Sequence, residues 1–402
     1  MLHDTTKPVA DILGSYPRGS KELTGLYHKH FPPTRAREWF TSRGVQLKTE
    51  PDGRMFPTTD NSQTIIDALL RAADQAGVEI CHKHRVIQIV AADPTEQQQE
   101  SSGATGKRFR IETSSLSSLE VDAIVLATGS SKAGHALAEG LGHTIVDPVP
   151  SLFTLNTKHQ TKEGGLLHGL SGVSVPHARL TLTMPKPKTG GASSNKKRRK
   201  PKRLHQEGPL LITHHGVSGP ATLRLSAFGA HEFHQLEYRG PVVTVHWCPA
   251  LGNTEDIADR LWGCTTQSPH RAVSTICPLV EARIPKRLWS ALVTVQSGLS
   301  PTAVWGEVSK KHVRALARSL AECVLDLTGK STYKEEFVTA GGVALPEIDM
   351  KTMASKKCDG LFLCGELLNV DGVTGGFNFM NCWSTGHTAG TNAATATTIS
   401  QQ

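Results

Sequence analysis

The chain has 402 residues, 38% of them hydrophobic and 20% charged, with a formal net charge of +8 at pH 7. That length predicts two or three domains of ordinary globular composition, and it excludes a disordered or fibrous protein. No apolar run approaches the ~20 residues needed to cross a bilayer, and the opening residues Met1 to Ala10 contain no apolar signal core, so no membrane partner is expected.

The positive charge is local. Between Met184 and His205 stand nine lysines and arginines and no acid, and without them the chain would carry −1. The run Lys196 to Arg203 (KKRRKPKR) reads as a solvated insertion between two strands. No aromatic residue interleaves it to stack bases, so nucleic acid is not expected as a partner, and a nuclear import signal is the alternative. The eight cysteines show no metal-ligand spacing and read as reduced thiols of an intracellular, cytoplasmic protein.

Residues 1–30 carry little periodicity. A helix is expected around Arg35 to Val45, with Trp39 and Phe40 buried, and Gly53 to Met55 turn the chain into Phe56. Asp60 can cap a helix whose apolar face is Ile65, Ile66, Leu69, Leu70 and Ala73, ended by Gly77. Val78 to Ile80 and Val86 to Val90 read as strands, Pro94 to Lys107 as a surface loop, and Phe109, Ile111 and Thr113 as an edge strand. Val121 to Leu126 is a buried strand ending at Ala127, Thr128 and Gly129. From about Val149 the pattern is β-rich, with strands expected at Leu152 to Leu155, Leu180 to Thr183, Leu210 to Thr213 and Val242 to Val245. Leu251 to Gly329 reads as mostly helical, with Pro285 and Pro301 marking starts. The chain returns to its first domain at about Tyr333.

Two stretches carry chemistry. Thr213 to Ala221 (THHGVSGPA) sets His214 and His215 just before Ser218 and a helix start at Pro220. Neither histidine nor Ser218 has an acidic partner in view, which rejects a hydrolase triad. A histidine holding the loop by hydrogen bonds is the bland alternative to a catalytic one. The second stretch, Gly360 to Trp383, opens with a buried strand at Leu361 to Cys364 and continues with Gly365 and Glu366 at the strand's carboxyl end. Gly372, Gly375 and Gly376 follow, and then a helix from about Asn378 on which Gly386, Ala389, Gly390, Ala393 and Ala394 recur. Strand, glycine loop and helix N-terminus favour a ligand with negative charge, of which a flavin anionic at N1 on reduction is one.

Glu366, Asp371 and Gly375 to Asn378 resemble the closing motif of the BaiN-like (aminoacetone-oxidase-type) NAD(P)/FAD-dependent flavoproteins. Four more stretches match in the same order: Gly53 to Pro57 (GRMFP), Ala127 to Gly129 (ATG), Thr213 to Ala221, and Thr339 to Val343 (TAGGV). The similarity covers the chain from about Tyr16. It implies an α/β fold: a two-dinucleotide-binding, Rossmann-like FAD domain over 1–147 and 335–402. An inserted β-rich subdomain over 148–252, with its basic loop at 184–205, and an inserted helical subdomain over 253–334 would complete it.

The resemblance also implies a cofactor and its contacts. Val86 would abut the adenine of FAD, and Ala127, Thr128 and Gly129 would pass the pyrophosphate. Gly365 and Glu366 would meet the ribityl chain, with Asp371, Gly372, Gly375, Gly376, Phe377 and Asn378 along the pyrimidine edge. His214 is the candidate to orient or protonate a small-molecule substrate, and NAD(P)H or oxygen would be the redox partner.

The family also begins with a strand, a Gly-x-Gly-x-x-Gly turn and a helix, and this chain contains no such fingerprint. The expectation is therefore an N-terminally truncated form that binds FAD poorly. Two other readings stand beside the oxidoreductase. One is a non-catalytic truncated paralogue or incomplete gene model unable to bind FAD; the other is an RNA-modifying flavoprotein.

Overall fold

Leu361–Leu363 is a strand because apolar side chains fill both of its faces, and none of the three is more than 4% exposed. In the computed structural model it pairs in parallel with Ile124–Leu126, Leu361 opposite Ile124 and Leu363 opposite Leu126. Ala354–Ser355 and Ile348–Asp349 extend this sheet antiparallel, and Ile124–Leu126 is its terminal strand. The structure describes residues 2–92, 108–115, 118–184, 203–275, 277–331 and 338–399. The expected loop at 94–107, most of the basic run at 184–205 and the return at Tyr333 lie wholly or largely outside them.

Contacts divide the chain into two units, Met1–Val149 with Thr339–Gln402, and Pro150–Val338. In the first unit, Val86–Ala91, Phe109–Thr113 and Ser118–Val121 form an antiparallel meander. The expected strand from Val121 to Leu126 is thus two strands, broken at Asp122 and Ala123 as the chain passes from the meander to the parallel pair. A second small sheet joins Leu2–His3, Arg54–Pro57 and Leu47–Thr49. The segment Thr339 to Val343 lies in the strand Val338–Val343, paired with Ile145–Ser151.

Three expectations for this unit change. Asp60 does not cap the helix Gln63–Gln75; its carboxylate accepts from Lys48 at 2.8 Å, and Ser62 takes the cap position. On that helix Ile65 and Ala68 are buried, whereas Ile66 and Leu70 are 44% and 47% exposed. Val78 to Ile80 forms no strand, because it finds no ladder partner among the described residues. Periodicity states which face can be buried; a neighbour must still be there to bury it.

The second unit is a closed six-stranded barrel with helices packed on it. Its strands are Leu155–Asn156, Ser174–Thr183, Arg203–Ile212, Gly216–Ser218, Arg239–His246 and Cys323–Lys330. Closure removes sheet edges, and alternation sends Leu180, Leu182, Val243, Val245, Leu325 and Leu327 inward, each at most 2% exposed. Cys323–Lys330 corrects the helical reading of 251–329: it pairs antiparallel with Arg239–His246 and closes the barrel. Its apolar residues alternate, but the helical pattern running up to Ala321 masks that signal. Pro285 does precede a helix, Lys286–Ala291, whereas Pro301 starts none and the next helix, Lys310–Ala321, is capped by Ser309. Trp247, Trp289 and Trp305 are fully buried in the core shared by barrel and helices.

Candidate functional site

The two parallel strands end side by side. Ile124–Leu126 runs into Ala127, Thr128 and Gly129, and Leu361–Leu363 into Cys364, Gly365 and Glu366, with the Cys364 amide donating to Leu126 O at 3.2 Å. Beside them lies the helix Phe377–Ile399, whose Thr385 hydroxyl accepts the Gly365 amide at 3.0 Å. Between these ends and the helix Pro33–Thr41 is a cavity of about 370 Å³, lined by Ala127, Gly129, Cys364, Gly365 and Glu366. Its other walls are largely aromatic: Phe31, Trp39, Phe40 and Trp383, with Leu69, Cys382, Gly386 and His387. Such a position, at the carboxyl ends of parallel strands, is where α/β sheets take ligands.

The polar groups of this cavity are few. Burial raises the pKa of Glu366, the negative charge of Asp371 raises it further, and among the described residues its carboxylate has no hydrogen-bonding partner. Among the described residues the indole nitrogen of the wall residue Trp383 is buried without an acceptor. Burial pushes the Cys364 thiol up to about 11 and Cys382 to about 12, so both stay protonated at neutral pH and offer no thiolate nucleophile. His387 is neutral at that pH as well, because burial and then the charges of Arg35 and Arg43 lower its pKa.

The glycine loop after Glu366 is closed on the chain's own N-terminal residues. The Arg18 guanidinium holds the Asp371 carboxylate, 1% exposed, through paired contacts. Asn378 accepts from the Gly372 amide at 2.7 Å and donates back to Gly372 O at 3.0 Å. Tyr16 donates to Phe377 O at 2.6 Å and its hydroxyl meets that of Tyr27 at 2.7 Å; burial raises the pKa of both phenols. His3 bonds Gly375 O at 3.1 Å and stacks on Phe377 with centroids 4.3 Å apart. Gly376, at φ 95°, must be glycine, since a Cβ there would stand 2.4 Å from the Leu2 carbonyl.

The residues singled out by sequence therefore fall into groups. Ala127, Gly129, Gly365 and Glu366 line the cavity. Thr128 packs against the helix Lys132–Gly140, its Oγ1 1.8 Å from where a Cβ on Gly134 would sit. Asp371, Gly372, Gly375, Gly376, Phe377 and Asn378 belong to the closed loop. Val86 lines a separate cleft of about 520 Å³ beside Ala133 and Leu137. In the second unit His214 is exposed in the turn after Arg203–Ile212. That turn is held by Thr213, whose hydroxyl accepts from the His215 and Gly216 amides, rather than by either imidazole. Sequence reasoning missed His3, Tyr16, Arg18 and Tyr27, which lie in a stretch without periodicity, and the wall residues Phe31, Leu69, Trp383 and His387. Among the described residues no group of side chains could hold a metal ion, and no helix is long and apolar enough to cross a membrane.

Fold and site together define a mixed α/β protein of the Rossmann class with a cavity at the ends of its parallel strands. The chain belongs to the family described as HI0933-like protein Rossmann domain, whose profile matches residues 3–392. The resemblance to the BaiN-like flavoproteins is thereby borne out. A ribosomal RNA dihydrouridine synthase of Haemophilus influenzae is 26% identical over 365 residues, covering 90% of this chain and 78% of that protein. A 3-dehydro-bile acid delta(4,6)-reductase of Clostridium scindens is 24% identical over 378 residues, covering 91% of this chain and 81% of the relative. Among solved structures, the open conformation of a flavocytochrome c3 fumarate reductase aligns with a TM-score of 0.38 at 14% identity, over 97% of this chain and 68% of that one.

Proposed function

We propose that this protein is a flavin-dependent oxidoreductase acting on a small organic molecule, with FAD as cofactor and NAD(P)H or oxygen as redox partner. The observation that carries the reading is the Glu366 carboxylate. It is half-buried and unmatched among the described residues, at the strand ends beside Gly129 and Gly365. A carboxylate in that state calls for a donor, and the hydroxyls of a ribityl chain supply one. The aromatic walls suit a planar ring, and the Trp383 indole N–H stands ready for an acceptor on it. Asp371 and Asn378 have their polar groups engaged within the loop, so the fit rests on the cavity side of the motif.

When bound, the flavin would supply the electron and hydride chemistry. The protein's share is to hold the ligand at Glu366, Gly129 and Gly365 and to exclude water with Phe31, Trp39, Phe40 and Trp383. The relative named a 3-dehydro-bile acid delta(4,6)-reductase supports a small-molecule substrate, and the relative named a ribosomal RNA dihydrouridine synthase supports the second reading, an RNA-modifying flavoprotein. The contiguous unit Pro150–Val338, flanked in sequence by both segments of the other, supports reading it as an insertion into the flavin domain.

Flavin absorbance retained after dialysis, together with the thermal shift on adding FAD, tests the proposal. FAD at 100 times its dissociation constant should stabilise the protein by about 2.7 kcal/mol. Glu366→Ala should weaken retention by the equivalent of a charged hydrogen bond, about 1.5–3 kcal/mol. A chain that neither retains FAD nor gains stability from it would contradict the reading.

A further inference from the structure

The second unit holds a cleft of about 750 Å³ to which the flavin reading gives no role. One wall is the segment 163–170, and the other is the helix Lys286–Ala291 with its continuation Leu292–Gln296. Both walls are pinned from behind. Leu167 and Leu170 anchor the first in the barrel core, as Leu288, Trp289 and Leu292 anchor the second, and the Trp289 indole donates to Val273 O at 2.7 Å. The helical wall presents Lys286, Ser290 and Thr294, each four residues after the last and so in one row. Its charge lies at one end. There Arg287, also a lining residue, donates to Gly169 O, which sets the lining residue His168 at the same end. Among the described residues Lys286 Nζ and the His168 imidazole have no hydrogen-bonding or ion-pairing partner, and Arg287 has no carboxylate. Glu163 is the one acid among the described lining residues, and no Phe, Tyr or Trp stands with it.

Donors gathered at one end of a cleft, with no carboxylate bonded to them, suit an anionic group. Acceptors follow along the helical wall: the Thr294 hydroxyl donates its proton to Ser290 O at 2.9 Å and so offers lone pairs to a ligand. We propose that this cleft binds a small phosphorylated polyol, with its phosphate on Lys286, Arg287 and His168 and its hydroxyl groups toward Ser290, Thr294 and Glu163. A guanidinium fork and an ammonium group both suit phosphate oxygens, and the carboxylate and hydroxyls suit alcohol donors. The volume is that of a small-molecule site. A nucleic-acid strand would call for rings on which its bases could stack, and the described lining residues offer none. The inference does not rest on the flavin reading, since the cleft and the cavity beside Glu366 share no lining residue.

Ribose 5-phosphate and ribose are titrated calorimetrically, at fixed ionic strength, into the full chain and into Lys286→Gln/Arg287→Gln. The expected result is saturable binding of ribose 5-phosphate, with ribose weaker by roughly tenfold or more, the loss that removing a charge-assisted hydrogen bond brings. The double variant should lose the same factor for ribose 5-phosphate and retain flavin as the unchanged chain does. Lys196→Gln/Lys197→Gln, in the basic run, should bind ribose 5-phosphate as before. Absence of saturable binding, equal affinity for ribose, survival of binding in the Lys286/Arg287 variant, or its loss in the Lys196/Lys197 variant would overturn the proposal. So would a uridine oligonucleotide that binds more tightly than ribose 5-phosphate and is lost with Lys286 and Arg287, because the face would then take nucleic acid. Circular dichroism checks folding, since Arg287 holds Gly169. Should that variant fail to fold, His168→Gln/Lys286→Gln takes its place under the same criteria, as it removes no side-chain bond found among the described residues.

Discussion

Glu366 shows how one side chain can be costly for folding and useful for binding. Its pKa is raised because burial, and then Asp371, disfavour the charged form. At pH 7 the folded state therefore bears a penalty that the unfolded chain escapes, and the penalty fades as pH falls through the raised folded pKa toward the ordinary value near 4.5. Glu366→Gln, neutral throughout, should melt at a higher temperature than the unchanged, ligand-free protein at pH 7. The gain should shrink steadily on titration toward pH 4.5. A variant that melts at or below the unchanged protein at pH 7 would mean that the carboxylate is already satisfied. Glu347 is the opposite case. Burial alone would raise it, but Lys357, the Thr144 amide and hydroxyl, and His143 together draw it down to about 2. It ties Thr144 and the buried His143 to the turn Leu345–Glu347 and is a structural acid.

At the level of elements, the loop between Glu366 and the helix Phe377–Ile399 has its shape from partners far away in sequence. Arg18 is 353 residues from Asp371. Breaking a buried pair leaves one uncompensated charge, at a cost of about 3–5 kcal/mol. Asp371→Ala or Arg18→Ala should therefore lower the urea midpoint by that equivalent without changing the slope of the transition. Replacing both partners by apolar residues of similar volume should recover much of the loss. A single variant with an unchanged midpoint would show that the pair contributes nothing to stability. The strand, the helix and the flexible glycines of this motif are legible from the text, because apolar runs and glycine spacing are local. The pairing that closes the loop is not, since nothing near Arg18 distinguishes it from any other basic residue.

For the molecule as a whole, the basic run stands apart from what builds the core. Ser174–Thr183 and Arg203–Ile212 pair antiparallel up to Thr183 opposite Arg203, so the barrel register is set without residues 185–202. Replacing those residues by a short glycine-containing turn should leave the barrel folded. It removes eight lysines and arginines and brings the formal net charge from +8 to zero. Circular dichroism and gel filtration check the outcome, and loss of the folded, soluble species would show that the segment packs. Lower solubility near neutral pH is expected in the same variant, because net charge keeps proteins apart.

Local pattern was enough to read the α/β character of the chain, the β-rich character after residue 149, and the strand–loop–helix that frames Glu366. Each is a statement about neighbours in sequence, carried by periodicity, glycine placement and motif order. Tertiary contact decided the rest. Ile66 and Leu70 share a helical face with Ile65, yet remain half exposed because no neighbour among the described residues covers them. Cys323–Lys330 is a strand because Arg239–His246 offers it a ladder. Of the twelve positions expected around a flavin, only those at the two strand ends face the cavity, while Asp371 and Asn378 spend their polar groups closing a loop on Arg18 and Gly372. A side chain's chemistry is written in the sequence, but whether that chemistry is free to meet a ligand depends on which distant group reaches it first.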